Sequence, residues 1–281
     1  MTVSKPRVVV THWVHPEVAE YLAEFSDALI PSRDEGVFPP GRVADLAAGA
    51  DALIACMADR LDDEFLARCP RLRVVSATLK GYDNFDAGAC ARRGIWLTVV
   101  PDTNDERRLD ARTEERLSVC WQSLEQLAEV SDVLIAALPL TSRTRHLIGS
   151  NLIRRSRPGA FVVNVGRGSV VDEDAIADAL DCGHLGGYAA DVFAMEDWML
   201  PGHPPAIPHR LLSHPRTLFT PHLGSAVDDV RRLMSLEAAR QVRQVLDGSR
   251  PDHAVNAPEH PEPWPGCPDD VGGAGREATR G

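Results

Sequence analysis

Three short stretches of the chain carry side chains suited to acid-base and anion chemistry, and each follows a run that reads as a β-strand. The strand at 160–165 runs into Gly166-Arg167-Gly168-Ser169. The strand at 187–192 is followed by Glu196, and the strand at 218–221 ends in His222 with Gly224-Ser225 beyond it. Arginine offers an anion a permanent two-pronged donor, and histidine titrates near neutrality and can carry a proton. A glutamate beside that histidine favours the imidazolium. Taken singly, each also fits a plainer role: Arg167 as a turn residue, Glu196 as a solvated charge, His222 as a satisfied imidazole near a helix start. Together they fall at successive strand ends of one sheet, which is where ligands bind in open parallel sheets.

The elements that must position them repeat a strand, loop and amphipathic helix. Strands are expected at 7–11, 27–31, 52–55, 72–77 and 96–100, with helices at 16–25, 41–48, 62–68 and 86–93 between them. A polar break at 101–108 precedes a second series: helix 124–130, strand 133–137, helix 151–155, strand 160–165, helix 173–182 and strands 187–192 and 218–221. A long helix from 226 to about 246 follows, with Val230, Met234, Ala238 and Val242 on one face. Strands alternating with helices need crossovers, so the expected fold is α/β with two doubly wound parallel-sheet domains. The first domain covers 1–102 and is completed by the C-terminal helix 226–256, and the second covers 103–225. The Pro-, Gly- and Asp-rich stretch 257–281 reads as a disordered tail.

Composition narrows the partners. With 281 residues, 30 Lys+Arg against 41 Asp+Glu and a formal net charge of -11, the chain gives a nucleic acid no general reason to approach. Apolar runs such as 133–140 are far below the roughly 18 residues of a membrane span, and the first residues lack the apolar core of a signal peptide. A soluble cytoplasmic protein is the expectation. The six cysteines include no C-x-x-C pair, so they read as reduced, mostly buried thiols with no zinc site.

The site stretches bear a resemblance. Val163-Asn-Val-Gly-Arg-Gly-Ser-Val-Val-Asp-Glu173, Gly186-Gly-Tyr-Ala-Ala-Asp-Val-Phe-Ala-Met-Glu196 and Thr220-Pro-His-Leu-Gly-Ser-Ala226 resemble three signatures of the D-isomer-specific 2-hydroxyacid dehydrogenases. The likeness covers most of residues 5–256. It implies a flavodoxin-like substrate domain, a Rossmann-type domain and NAD as cofactor. It also implies that Arg167 holds the substrate anion, that His222 is the general base and that Glu196 orients it. Within the family the likeness is greatest to phosphonate dehydrogenases, which oxidise phosphite to phosphate with NAD. Ala77-Thr-Leu-Lys-Gly-Tyr-Asp-Asn-Phe-Asp86 and the segment 190–198 carry it. It implies a small anionic substrate, phosphite or a 2-hydroxy acid, bound with help from Met57, Lys80, Gly81 and Arg231. A lysine at position 80 suits a compact dianion, although a solvated helix-edge lysine would look the same in sequence.

One departure stands out. The family places a strand, a G-x-G-x-x-G loop and a helix between the segments matching 99–102 and 109–132, and no G-x-G-x-x-G occurs anywhere in this chain. That loop brings backbone N–H groups and a helix N-terminus to the cofactor's pyrophosphate, so the second domain is expected to be incomplete and to bind NAD weakly. The cofactor contacts that the resemblance still implies are Leu138, Pro139, Thr144, Val165, Gly166, Asp191 and Gly224. The family homodimer would be weakened by the same gap. Two readings follow: an NAD-dependent oxidoreductase, or an internally deleted remnant that binds small anions at most.

Overall fold

The computed structural model describes residues 5–100 and 115–258. The polar break at 101–108, the tail beyond 258 and Cys267 lie outside the described residues. The chain divides into two compact units. Unit 1 comprises Met1–Lys80, Asp86–Val100 and Arg232–Gly281, and unit 2 comprises Gly81–Phe85 and Pro101–Arg231. The long C-terminal helix is therefore shared, and the short stretch Gly81–Phe85 groups with unit 2.

Unit 1 alternates β1 (Arg7–Val10), α1 (Pro16–Phe25), β2 (Asp27–Leu29), α2 (Pro40–Ala47), β3 (Ala52–Ala55), α3 (Asp63–Ala67), β4 (Val74–Ala77), α4 (Ala87–Arg92) and β5 (Trp96–Thr98). The strands form one parallel sheet in the order β2-β1-β3-β4-β5. Proline in the first turn of α1 and α2 fixes a helical φ where no N–H partner is needed. Asp62 and Asp86 cap α3 and α4 by accepting from the amides of Phe65 and Ala89. Both faces of the sheet are buried. Val9, Leu53, Val75 and Leu97 stand side by side in register on one face. On the other, Val8, Val10, Ala52, Ile54 and Val74 pack with α1 and with the last helix, α9 (Asp228–Leu246).

The stripe expected on α9 is only partly used. Ala238 and Val242 are buried, whereas Val230 is exposed, because the helix contributes to the unit 1 core only over its C-terminal half. Gln241 Nε2 donates to the carbonyl of Val99. Asn256 then receives the Leu97 amide on Oδ1 and donates from Nδ2 to the Ile95 carbonyl, so the chain after α9 is tied along β5.

Unit 2 contains α5 (Leu124–Val130), β6 (Val133–Ala136), α6 (Ser150–Arg155), β7 (Phe161–Asn164), α7 (Glu173–Asp181), β8 (Gly187–Ala190), α8 (His209–Leu212) and β9 (Thr217–Phe219). The parallel order is β6-β7-β8-β9. A capping box links Ser123 and Gln126 at the start of α5, and Asp172 caps α7 through the Ala175 amide. Helix α8 and two 3-10 turns, Gly168–Val170 and Ala194–Glu196, are additions to the elements expected from sequence. They are too short to carry a periodic signal.

The two faces of this sheet differ sharply. Leu134, Ala136, Val162, Tyr188 and Ala190 point into a core shared with α5, α6 and α7. On the opposite face Val133 lies beside Phe161, and Ile135, Val163, Ala189 and Leu218 follow one another in register. Val133, Ile135, Phe161 and Leu218 are each at least half exposed. Among the described residues no strand pairs with the outer edge of β6. An open apolar face beside a bare edge is a liability for association.

The cysteines depart from expectation. Cys69 and Cys90 are buried and Cys56 is half-buried, but Cys120 and Cys182 are exposed, the latter because it is the C-cap of α7. Burial pushes the thiols of Cys69 and Cys90 up to about 11 and about 12. No helix among the described residues is long and apolar enough to cross a membrane.

The asymmetry of unit 2 can be measured. Leu180→Ala, at a fully buried core position, is expected to cost about 2–5 kcal/mol in urea unfolding. Leu218→Ser, on the open face, should change stability by no more than about 0.5 kcal/mol while lowering the fluorescence of a bound hydrophobic dye. A large loss of stability in Leu218→Ser would show that this face is packed after all.

Candidate active site

The carboxyl ends of β7, β8 and β9 bring Arg167, Glu196 and His222 into unit 2's chemistry by separate local devices. After β7, Asn164 folds its side chain back on the turn. Its Nδ2 donates to the carbonyl of Arg167 at 3.0 Å, and its Oδ1 accepts from the Gly166 amide at 3.2 Å. The turn therefore leaves the strand with Arg167 extended and its guanidinium half-buried. Arg167 Nε donates to Asp83 Oδ2 at 2.5 Å, and Nη1 to the Gly166 carbonyl at 3.0 Å. A Cβ at position 81 would lie 1.8 Å from Arg167 Nη2, so a larger residue there would make the guanidinium shift.

Glu196 closes the 3-10 turn after β8. Its Oε1 accepts from the Phe193 amide at 2.8 Å, and its Oε2 lies 2.5 Å from His222 Nδ1. With Nδ1–H donating to the carboxylate, the imidazole would leave Nε2 with a lone pair able to accept a proton. His222 itself sits at φ 55, a left-handed conformation that costs a non-glycine residue about 1–2 kcal/mol. Asp191 holds that strained loop. Oδ1 accepts from the Thr220 hydroxyl and the Leu223 amide, and Oδ2 from the Gly224 amide. Burial alone would raise the Asp191 carboxyl, but these hydrogen bonds and the charge of His222 outweigh it and hold the group below the usual carboxylate range.

Beside this lies a cleft of about 480 Å³ lined by Asp83, Leu140, Thr141, Ser142, Arg145, Asp197, Met199 and Leu200. The remaining residues expected from sequence are placed as follows. Thr144 closes the loop after β6, donating from Oγ1 to the Pro139 carbonyl at 2.7 Å. Gly166 packs against Leu138, where a Cβ would approach the Leu138 carbonyl to 2.6 Å. Leu138 and Val165 expose apolar surface at the strand ends. Arg231, in the first turn of α9, donates from Nε to the Ser225 carbonyl. Met57 and Lys80 belong to unit 1.

Residues 98–224 match the sequence profile of the D-isomer specific 2-hydroxyacid dehydrogenase NAD binding domain. The match takes in Arg167, Glu196 and His222, so this stretch of the chain is similar to that domain. A glyoxylate reductase of Aeropyrum pernix is 27% identical over 330 aligned positions that take in 90% of this chain and 96% of that protein. A glyoxylate/hydroxypyruvate reductase B of Pectobacterium carotovorum is 35% identical over 168 residues, covering 60% of this chain and 50% of its own length. Among solved structures, the NADPH-dependent glyoxylate/hydroxypyruvate reductase of Sinorhizobium meliloti in complex with NADP and malonate matches with a TM-score of 0.68. It is 23% identical, over 90% of this chain and 97% of that one. The D-lactate dehydrogenase of Aquifex aeolicus complexed with NAD and lactic acid gives 0.70 at 18% identity, over 90% and 99%. These likenesses confirm the parallel α/β fold.

NAD is the cofactor of the matched domain, and the residues present fit it at one end. The exposed apolar side chains of Leu138 and Val165 suit a flat ring lying across the ends of β6 and β7. Asp191, expected to face the cofactor, has both carboxylate oxygens engaged by the 220–224 loop.

Sequence reasoning passed over four residues of the site. Asp83, Asn164, Glu173 and Asp197 all lie in or beside the motif stretches, but nothing in residue type alone separates a buried carboxylate from a solvated one. Glu173 and Asp197 are 6% and 3% exposed. Burial pushes both carboxyls up, against the lowering effect of the Ala194 amide on Glu173 and of Ser169 on Asp197. A carboxyl raised in the folded state keeps its proton longer there than in the unfolded chain. Its contribution to stability is therefore complete below the ordinary carboxylate range and is lost as pH rises through the raised value. Glu173→Gln keeps shape and acceptor without charge, so its stability relative to the parent chain should increase from acid to neutral pH in urea melts. A pH-independent difference would mean that Glu173 ionises as freely in the fold as out of it.

Proposed function

We propose that this chain carries the catalytic apparatus of a dehydrogenase acting on a small anion, either a 2-hydroxy acid or phosphite. The observation that carries the reading is the 2.5 Å contact between Glu196 Oε2 and His222 Nδ1, set near an arginine whose fork is half-exposed. Arg167 binds the substrate anion, exchanging its Asp83 partner for substrate oxygens. His222 Nε2 takes the proton from the substrate hydroxyl, or from the water that attacks phosphorus, and Glu196 stabilises the imidazolium that forms. NAD, when bound, accepts the hydride. Leu138, Pro139, Thr144, Val165, Gly166 and Gly224 would line its place, and Asp191 would act by holding the His222 loop.

The two substrates differ in charge. Lys80 supports phosphite, since a second cation suits a compact dianion, whereas the Aeropyrum and Pectobacterium relatives are reductases of glyoxylate and of glyoxylate or hydroxypyruvate. Met57, Gly81 and Arg231 are assigned to the substrate on resemblance.

We infer as well that the chain lacks the family's strand, glycine loop and helix. The alignment to the Aeropyrum protein spans more positions than this 281-residue chain has residues, and the bare edge of β6 is where another strand would pair. Without the loop no cluster of backbone N–H groups meets the pyrophosphate, so NAD should bind weakly.

The tests separate these points. Calorimetric titration of the chain with NAD should give a dissociation constant well above the micromolar range and little upward shift of the thermal melt. Low-micromolar binding with a shifted melt would show that other residues replace the loop. In a chain with the segment restored, His222→Asn should lower kcat by orders of magnitude. Arg167→Lys, which keeps charge but loses the fork, should chiefly raise KM for phosphite or glycolate. Near-normal kinetics in either variant would strip that residue of its catalytic or clamping role. Lys80→Ala should raise KM more for phosphite than for a monoanionic hydroxy acid if phosphite is the substrate.

A further inference from the structure

Two buried carboxylates that the reaction does not use lie directly behind the site. Glu173, the first residue of α7, accepts the Ala194 amide on Oε1 at 2.8 Å, while its Oε2 is buried without a hydrogen-bond partner. Asp197 accepts the Ser169 amide on Oδ2 at 2.7 Å. Ser169 belongs to the 3-10 turn that follows Arg167, and Ala194 opens the turn that ends in Glu196. Asp197, next to Glu196, thus grips the Arg167 turn, and Glu173, beyond the Arg167 turn, grips the Glu196 turn. The two turns also touch directly. A Cβ on Gly168 would stand 1.9 Å from the Phe193 carbonyl carbon and 2.1 Å from the Ala194 nitrogen, so only glycine lets the backbones stack.

An amide would accept the same N–H without the cost of burying charge, and both carboxyls are disfavoured in their ionised form. What they share is their targets, one in the turn that carries the anion clamp and one in the turn that carries the partner of the base.

We propose that Glu173 and Asp197 are positioning residues that cross-link these two turns and so set the approach of Glu196 to His222 Nδ1 relative to Arg167. This rests on the reading of Glu196 and His222 as the base pair, but its test does not use turnover. Loss of turnover in His222→Asn judges that reading; the resonances below judge the cross-link.

In the full-length chain labelled with 15N histidine, Glu173→Ala and Asp197→Ala are compared with the parent and with Glu173→Gln and Asp197→Asn. In the alanine variants, hydrogen exchange at the Ala194 and Ser169 amides respectively should quicken roughly tenfold. The His222 imidazole should also lose the Nδ1–H signature of a proton held by a carboxylate. The amide variants, which still accept the N–H, should restore both. Exchange that quickens while the His222 ring is unchanged would reduce the cross-link to a structural tie and overturn the proposal. So would an equal effect of amide and alanine variants, since that would reflect charge rather than position. Should Glu173→Ala fail to fold, Glu173→Asp keeps the charge and shortens the reach by one methylene. An unaltered His222 signature in it would be equally fatal.

Discussion

Unit 2's site depends on backbone stacking at Gly168. The turn after β7 and the turn after β8 approach so closely there that no side chain fits between them. That approach brings a cation from one strand end and a carboxylate from the next into a common setting, and the hydrogen bonds of Asn164, Glu173, Asp191 and Asp197 make it rigid. Each of these polar side chains bonds to backbone N–H or C=O groups of the strand-end turns, and Asp191 accepts the Thr220 hydroxyl as well. The turns that carry Arg167 and Glu196 are consequently tied through their main chain, which fixes where each side chain starts.

His222 shows the energetic balance of that arrangement. A left-handed histidine is unfavourable, and the loop keeps it only because Asp191 supplies acceptors for Thr220, Leu223 and Gly224. At Glu173 and Asp197 the balance runs the other way, with burial opposing ionisation. One small region thus holds one carboxylate stabilised in its charged form and two penalised for theirs, because Glu173 and Asp197 are buried while Asp191 is only partly so and receives several donors.

Much of this was legible in the residues. The β-branched runs located all nine strands of the described chain to within a few residues, and proline or aspartate marked the helix starts at Pro16, Asp62 and Asp86. Arg167, Glu196 and His222 were visible because glycines and strand ends frame them. What escaped was tertiary in origin. Val230 continues a helical stripe in sequence yet is exposed, since periodicity reports a face and says nothing of whether a neighbour covers it. Cys182 looks like any small apolar residue and is turned outward by its position at a helix end. Asp83 and Asp197 stand beside the motif residues with nothing in their type to single them out, and only the folded turns reveal one pairing with Arg167 and the other gripping a backbone amide.

The division of α9 between the units bears on how the polypeptide is made. Unit 1 is discontinuous: its sheet is complete by Thr98, but one face of that sheet is covered by Ala238, Ala239, Val242, Val245 and Leu246. On a ribosome adding about 5–20 residues per second, Val8, Val10, Ile54 and Val74 would await their cover for on the order of ten seconds while unit 2 emerges. The intervening sheet has an open apolar face of its own, so for that interval the nascent chain displays two such surfaces at once. Synthesis order therefore makes the final helix the step that commits the first domain, and chaperone occupancy during translation should concentrate before it appears.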